Sequence, residues 1–374
     1  MLDSSSILKN MHFFASGRNA MHAACDLLNL KPNDEVLTPA FDCDGALQPF
    51  RLKNLSLKFY RIHPDTFEID LDHIQTLLSK KTKLFHVINY FGISQNWNKI
   101  LEFKKSTNIP ILEDNAYCLF SMESQNPLKS LVDFSFFSLR KLLNFPDGGI
   151  LINNTSLKIP KLQHSPYIHA FDQHFLNWGL SQIGITKIPS ILKRSIQPKM
   201  PINENGTIPW VLSRDKIPTS FSKNPLQPIS KLSLYLFKKY IQNGTLHKMI
   251  NQKKKLHMLM VKEIINVDFI KVLNPTLNTE AAPFGVCLLM NEKINRDFIF
   301  QKFSSKYPLL TWPTFSMDIL KKRPYFPEVD ILGKRLLIFC FPLDEILKPR
   351  FEKTCLEFTQ DLKRLFKMSF KKLY

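Results

Sequence analysis

Short apolar segments alternate with helical segments through the first third of the chain, and this alternation limits the folds that the chain can adopt. The apolar segments are Asp34–Pro39, Leu57–Ile62, Lys83–Tyr90 and Ile109–Leu112. Apolar residues at helical spacing lie between them, for example Leu71, Ile74 and Leu77. This order predicts an α/β fold with a mixed, mainly parallel sheet that helices cover on both faces.

Polar residues follow several of the predicted strands at the point where each strand ends. Asn89 and Asp114 each follow an apolar run, and Ser138 and Lys141 follow another. In open α/β sheets, ligands bind at the carboxyl ends of the strands. The sequence therefore predicts that these residues share one site.

The segment Asp133–Ile150 contains the most unusual of these residues. Lys141 lies in it among Phe134, Phe136 and Leu142. A lysine held among apolar groups tends to lose its proton, and the neutral amine can attack a carbonyl group. We therefore predict a nucleophilic lysine. The alternative is a lysine whose stem covers apolar surface while its amine stays in water.

A helix is predicted to begin near the N-terminus. Ser16 is a candidate N-cap, and small residues follow it at Gly17 and Ala20. Free backbone N–H groups and the positive end of the helix dipole at such a start can bind a phosphate.

The chain divides into two predicted domains. Residues 1–250 form the large domain, in which residues 155–250 add helices and long loops, and residues 251–374 form a small α+β domain. His164, His169 and His174 are spaced five apart and do not share a helix face, so we expect no metal site there.

The composition limits the kind of protein that this chain can be and the kind of partner that it can bind. The 374 residues are 44% hydrophobic and 22% charged, which is ordinary for a globular protein. The net charge of +19 favours anionic partners such as phosphorylated ligands, although it could also reflect a general preference for lysine. We expect no nucleic-acid partner.

The cysteines and the apolar runs bear on the compartment. None of the six cysteines forms a C-x-x-C pair, so they are predicted to be free thiols in a reducing compartment. We find no signal-peptide pattern and no apolar run long enough to span a membrane, and we expect a cytoplasmic protein. The basic amphipathic end, Leu362–Tyr374, is interpreted as a helix packed on its own domain rather than as a membrane anchor.

Several motifs occur in an order that resembles a known family. They are Ser16–Ala20, the strand before Pro39, Asn89–Gly92, Glu113–Ala116, the Lys141 segment with Gly148 and Gly149, and Phe341–Leu343. This set resembles the DegT/DnrJ family of pyridoxal-phosphate (PLP) aminotransferases, which share the aspartate-aminotransferase fold, PLP fold type I. The resemblance is good over residues 12–155 and looser over residues 253–350.

The resemblance implies roles for individual residues. Lys141 would hold the aldehyde of PLP and carry protons, and Asp114 would hold the proton on the pyridine nitrogen. Tyr117 or Asn89 would contact the phenolic oxygen of the ring. The phosphate would be bound by Ser138 and by the backbone N–H groups of Gly17, Arg18 and Asn19.

This sequence also departs from the family pattern. Cys43 occupies the position where an aromatic residue usually stacks on the cofactor, and Tyr117 replaces the usual Gln or His. Ser138 lies three residues before Lys141 instead of five. These departures concern the substrate and the reaction more than the fold.

The resemblance implies a function. We expect an aminotransferase that moves an amino group from an amino acid to a nucleotide-linked keto sugar, for surface polysaccharide synthesis. Its active site would lie at the interface of a homodimer. The alternatives are another PLP-dependent reaction, such as elimination or transfer to a different acceptor, and a non-catalytic protein whose basic surface binds an anionic polymer.

Overall fold

The computed structural model describes residues 10–118, 132–143, 145–159, 217–273, 275–277, 281–312, 315–342 and 345–370. The three histidines discussed above lie outside these residues, as does Leu343. Within these ranges, no helix combines the length and the apolar character that crossing a membrane requires.

A seven-stranded sheet forms the centre of the large domain. Its strands are β1 (Met11–Phe14), β2 (Glu35–Pro39), β3 (Ser56–Tyr60), β4 (Thr82–Ile88), β5 (Ile111–Asn115), β6 (Phe134–Ser138) and β7 (Gly149–Asn153). They lie in the order β1-β7-β6-β5-β4-β2-β3. The pairs from β3 to β6 are parallel, whereas β7 is antiparallel to both β6 and β1. This arrangement confirms the predicted mixed, mainly parallel sheet.

Helices connect these strands, and polar caps fix several of their starts. Ser16 caps the helix that begins at Gly17, and Asp70 caps the helix that begins at Leu71. Each side chain accepts a hydrogen bond from the backbone N–H three residues further along the chain. The helices are α1 (Gly17–Leu27), α2 (Asp44–Leu52), α3 (Leu71–Leu77), α4 (Trp97–Thr107), α5 (Leu139–Leu142), α6 (Thr219–Lys223), α7 (Lys231–Gln242) and α8 (Thr245–Ile264).

A second sheet forms the small domain. Its strands, β8 (Ile270–Val272), β9 (Gly285–Met290), β10 (Leu309–Leu310) and β11 (Leu336–Cys340), lie in the order β10-β11-β9-β8, and all pairs are antiparallel. The helices α9 (Arg296–Phe303), α10 (Met317–Lys322), α11 (Pro327–Arg335) and α12 (Pro349–Phe370) accompany it.

The transition between the domains runs along a helix. Residue 250, the predicted last residue of the large domain, lies inside α8, which packs against both α12 and β9 of the small domain. The helix α12 buries Phe351, Phe358 and Leu362 on its inner face, as expected of a terminal helix packed on its own domain.

Backbone hydrogen bonds join the two domains beside the strand ends. The N–H of Phe284 donates to the carbonyl of Phe91 at 2.7 Å, and that of Ala282 donates to Gly92 at 3.1 Å. Gly92 has a φ of +81°, and a Cβ there would lie 2.1 Å from the carbonyl oxygen of Ala282. This close contact requires glycine and brings the small domain against the carboxyl edge of the large sheet.

Candidate active site

The predicted site residues gather at the carboxyl edge of the large sheet. Asp114 near the end of β5 pairs in register with Ile88 of β4 and with Phe136 of β6. Asn89 follows β4, and Ser138 is the last residue of β6. Because these strands are neighbours and parallel, their ends lie side by side, as the sequence predicts.

Lys141 projects from a single helical turn at this edge. Leu139 and Leu142 of α5 are fully buried and anchor the turn, whereas the Lys141 side chain between them is exposed. Its amine lies over the Tyr117 ring, 4.1 Å from the ring centroid. The amine therefore lies close to the strand ends, on a residue that solvent can reach.

The protonation of Lys141 differs from the sequence-based prediction. The amine at the tip of the side chain has lost part of its water shell, which lowers the pKa of Lys141, but Tyr117, Cys43 and Asp114 oppose this effect, and the net pKa lies above its ordinary value. The prediction that apolar neighbours leave the amine neutral is therefore wrong. The apolar neighbours in sequence are core residues that point away from the amine, whereas groups from other elements surround it.

Asp114 is buried near this amine. One carboxylate oxygen, Oδ1, accepts the backbone N–H of Ala116 at 2.7 Å. The other oxygen, Oδ2, lies 3.5 Å from Nε2 of the fully buried His86. The carboxylate is thus held in one orientation from within the sheet.

A second carboxyl group, which the sequence analysis did not select, lies close to Asp114 and Lys141. Asp42 is 1% exposed, and its Oδ1 accepts the N–H of Cys43 at 2.6 Å. Its Oδ2 has no hydrogen-bond partner in the described part of the chain. Burial, together with the charge of Asp114, raises the pKa of Asp42 well above its ordinary value. Its place three residues after the end of β2 was the available sequence signal.

The start of α1 lies against the end of β7. A Cβ on Gly149 would lie 2.2 Å from the carbonyl oxygen of Ser16, so only glycine fits there. A Cβ on Gly17 would lie 3.4 Å from the Cβ of Ser138. The first N–H groups of α1, which have no partner within the helix, therefore lie next to the Ser138 side chain.

Two arginines lie near this helix start. Burial and the charge of Arg140 both lower the pKa of Arg18. The Arg18 guanidinium donates to Oε1 of Gln48 at 2.6 Å. Like charges this close repel each other, and an anion between them would remove the repulsion.

Asn19 and Asn89 use their side chains inside the protein. The Nδ2 of Asn19 donates to the carbonyl of Pro225 at 2.9 Å, which ties α1 to the segment before α7. Both N–H groups of the Asn89 amide are used, since Nδ2 donates to Glu113 and to Asn115 at 2.7 Å each. Asn89 therefore connects the ends of β4 and β5 through its side chain. These hydrogen bonds do not support the expectation that its amide contacts a cofactor.

Aromatic residues surround Tyr117, over whose ring the Lys141 amine lies. Tyr117 packs edge-on against Phe284, with ring centroids 4.8 Å apart, and against Trp312, 6.3 Å apart. Burial raises the pKa of Tyr117. Sequence reasoning missed Trp312, which comes from the small domain and lies far along the chain.

Cys43 lies at the N-cap of α2, where the resemblance led us to expect a stacking aromatic residue. The side chain makes no capping hydrogen bond, and burial raises the pKa of the thiol to about 12. The nearby Phe41 is fully buried and packs on Trp312 with ring centroids 4.9 Å apart. Phe41 therefore belongs to the core and does not replace the missing aromatic residue.

Known proteins resemble this chain in sequence and in fold. Residues 9–164 match the DegT/DnrJ/EryC1/StrS aminotransferase family model. A pleiotropic regulatory protein of Geobacillus stearothermophilus is 26% identical over 142 residues, which cover 37% of this chain and 38% of that protein. The UDP-4-amino-4-deoxy-L-arabinose–oxoglutarate aminotransferase of Shewanella sediminis is 26% identical over 165 residues, which cover 42% of each chain. The matches thus span less than half the length of these relatives.

A solved structure extends the likeness to the whole fold. The PLP form of a candidate sugar aminotransferase from Streptococcus pneumoniae superposes with a TM-score of 0.62 at 14% identity, covering 97% of this chain and 90% of that one. This likeness confirms the predicted aspartate-aminotransferase fold, PLP fold type I. Over residues 9–164, the sequence thus matches the DegT/DnrJ/EryC1/StrS aminotransferase family, as the motifs predict.

Proposed function

We propose that this protein is a PLP-dependent aminotransferase. The observation that carries the proposal is the environment of Lys141, an exposed residue whose amine lies over the Tyr117 ring and feels the charge of the buried Asp114. An amine and a carboxylate near each other are the two groups that the cofactor needs at its aldehyde and at its ring nitrogen.

The residues present fit PLP at its anionic end as well. Arg18 and Arg140 place two positive charges near the start of α1, and Gly17 leaves room beside Ser138. Backbone N–H groups at a helix start favour a phosphate. Ser138 and the N–H groups of Gly17 and Arg18 would hold the phosphate, with Arg18 adding its charge. The N–H of Asn19, which the resemblance also assigns to the phosphate, donates to the Ser16 hydroxyl instead.

The cofactor, when bound, supplies an electron-withdrawing ring that stabilises negative charge on the substrate carbon. The protein supplies the remaining functions. Asp114 would hold the proton on the ring nitrogen through its carboxylate. Lys141 would hold the cofactor through its amine and would move a proton at the substrate carbon. The Tyr117 ring lies against the amine and would limit its position.

We propose an amino acid as donor and a nucleotide-linked keto sugar as acceptor, in the synthesis of surface polysaccharide. The Shewanella sediminis relative carries the name of a nucleotide-sugar aminotransferase, which supports this substrate class. The net charge of +19 suits a substrate that carries a diphosphate.

We further propose a homodimer in the cytoplasm. In this fold the active site lies at a dimer interface, which supports the dimer. All six cysteines are free thiols, which is typical of a reducing compartment.

The test is the absorbance spectrum of the purified protein with PLP, before and after glutamate is added. We expect a visible band from the bound cofactor, which glutamate removes as the amino group is transferred. Lys141→Ala should abolish the band, whereas Lys105→Ala, an exposed lysine on α4, should leave it unchanged. A protein that gives no band, or a band that persists in Lys141→Ala, would contradict the proposal.

A second candidate is a different PLP-dependent reaction, such as elimination. The presence of Tyr117 and Cys43 at positions where the family usually has other residues favours it. Product analysis separates the two reactions. Aminated nucleotide sugar that forms only when glutamate is present indicates transamination, whereas turnover without an amino donor indicates elimination.

A further inference from the structure

Aromatic residues from both domains hold the ring of Tyr117. Phe284 and Trp312 belong to the small domain, and their ring centroids lie 4.8 and 6.3 Å from that of Tyr117. Phe91, which follows β4 in the large domain, packs against the same ring at 5.7 Å. Phe284 is itself fixed, because its backbone N–H donates to the carbonyl of Phe91 at 2.7 Å. The Tyr117 ring is therefore held by its neighbours, whatever its hydroxyl group does.

The Lys141 amine lies over this ring, with Nζ 4.1 Å from the ring centroid. The face of an aromatic ring carries partial negative charge, so it attracts a cation that lies within about 6 Å of the centroid. The distance observed for Lys141 is well inside this limit. An ammonium group at this position is therefore stabilised by the face of the ring.

The other groups that act on the amine are Cys43 and Asp114, and Asp42 lies near them. Burial raises the pKa of the Cys43 thiol to about 12 and also raises the pKa of Tyr117, so both residues are neutral at pH 8. At that pH, neither a thiolate nor a phenolate stabilises the ammonium form of Lys141. The Tyr117 ring face and the Asp114 carboxylate remain to do so.

We propose that Tyr117 is a positioning residue whose ring face, rather than its hydroxyl group, holds the ammonium group of Lys141. The ring then determines where the amine lies before the cofactor binds and how readily the amine reacts with an aldehyde. This inference rests on the proposed function, because it concerns the lysine that the cofactor would use.

The test weakens the negative charge on the ring face while it keeps the ring in place. Tyr117→Phe first removes only the hydroxyl group. Phenylalanines with one, two or three fluorine atoms on the ring are then incorporated at the same position, because each fluorine withdraws electrons from the ring face. The measurement is the rate of reductive methylation of Lys141 by formaldehyde and a borane at pH 8, followed by peptide mass spectrometry on the protein without cofactor. This rate increases with the fraction of Lys141 that is neutral.

We expect Tyr117→Phe to methylate within about twofold of the wild-type rate, because the ring face remains. The rate should then rise with each added fluorine, by about fivefold for three, because a weaker ring face favours the ammonium form less. Lys105, an exposed lysine on α4, is measured in the same samples and should not change. The same series at Tyr235, which is 60% exposed on α7, is the matched control and should leave the rate of Lys141 unchanged.

Two results would overturn the inference, provided that melting temperatures show each protein to be folded. A methylation rate that does not depend on the number of fluorine atoms would leave the ring with a packing role alone. A fivefold rise in Tyr117→Phe itself would mean that the hydroxyl group holds the amine. The proposed function fails separately, if the wild type binds PLP and transfers no amino group, because the methylation rates need neither cofactor nor turnover.

Discussion

His86 and Asp114 lie side by side within the large sheet, with Nε2 of the imidazole 3.5 Å from Oδ2 of the carboxylate. The other ring nitrogen, Nδ1, lies 3.0 Å from the Thr38 hydroxyl, which can donate its proton to it. A neutral ring then carries its proton on Nε2, facing the carboxylate. Nε2 has no hydrogen-bond partner among the described residues, so His86 packs behind Asp114 without a hydrogen bond to it.

The charge of Asp114 can be tested with Asp114→Asn. The amide keeps the size of the side chain but cannot hold a proton on the pyridine nitrogen. We expect kcat to fall on the order of a hundredfold or more, while the cofactor still binds through Lys141. Steady-state kinetics and the visible absorbance of the bound cofactor measure the two effects.

His86→Gln is the companion variant, since it changes only the group behind Asp114. We expect a smaller loss, about tenfold, because one buried polar contact is removed and the carboxylate stays in place. An Asp114→Asn protein with normal turnover would show that this carboxylate does not support the cofactor ring.

The two arginines near the start of α1 give a prediction about cofactor affinity. Replacing Arg18 with glutamine removes a charge from the proposed phosphate site. We expect the affinity for PLP to fall about tenfold to a hundredfold, the usual worth of a hydrogen bond to a charged group. The affinity for pyridoxal, which has no phosphate, should stay the same.

Equilibrium titration of the protein with each compound measures these affinities. Arg364→Gln is the matched control, because Arg364 is 74% exposed on α12. Equal losses for PLP and for pyridoxal would show that Arg18 stabilises the protein in general and does not contact the phosphate.

The parallel part of the large sheet could be predicted because its signals are local. The strand β4 and the start of β5 carry apolar residues that are mostly buried, and the helix α4 between them buries residues at helical spacing. The antiparallel strand β1 has four residues and pairs with Ile150 and its neighbours in β7, so its signal is weak and its partner distant. Turn length and composition cannot identify such a pair.

The sequence predicted which residues form the site better than it predicted the contacts that these residues make. Lys141 and Asp114 lie where the motifs indicate, but the protonation of Lys141 depends on Tyr117 and Cys43, which other elements provide. The hydrogen bonds of Asn89 are made with Glu113 and Asn115, more than twenty residues away. Such partners are fixed by tertiary packing, which a motif does not describe.

Lys253 gives a prediction about stability. Its side chain is fully buried in α8, its amine has no hydrogen-bond partner among the described residues, and the Phe284 ring lies 5.8 Å away. Burial lowers the pKa of Lys253 from 10.5 to about 8. Below pH 8 both the folded and the unfolded chain are protonated, so the folded state bears the full cost of a buried charge.

Between pH 8 and 10.5 the unfolded chain binds more protons at this position, so this cost decreases as the pH rises. We therefore expect Lys253→Met to raise the free energy of unfolding at pH 7 by about 2–4 kcal/mol, and by much less at pH 10. Urea unfolding at both pH values measures this difference. Lys262→Met, at an exposed position of the same helix, is the control. A Lys253→Met protein that is less stable than the wild type at pH 7 would show that the amine has a partner which stabilises it.

Glu328 is expected to make stability depend on pH in the opposite direction. It lies in the first turn of α11 and is 2% exposed, and its Oε1 has no hydrogen-bond partner within the described ranges. Burial raises the pKa of Glu328 from 4.5 to about 7, although hydrogen bonds from backbone N–H groups and the charge of Arg61 oppose this effect. The folded chain therefore keeps a proton that the unfolded chain has lost.

The sign of the effect follows from this difference. Below pH 4.5 the carboxyl is protonated in both the folded and the unfolded chain, so Glu328 costs no ionisation energy. Between pH 4.5 and 7 only the unfolded chain loses this proton, so the stability of the folded chain falls as the pH rises.

Glu328→Gln tests this effect, because the glutamine side chain is neutral at every pH. We expect it to match the wild type near pH 4 and to exceed its free energy of unfolding at pH 8 by about 2–4 kcal/mol, as urea unfolding at the two pH values would measure. Glu357→Gln, at a 42% exposed side chain on α12, should change neither value. The contrary result is a wild type that loses no stability relative to Glu328→Gln between pH 4.5 and 7. It would mean that the buried carboxyl ionises as freely in the folded chain as in the unfolded one.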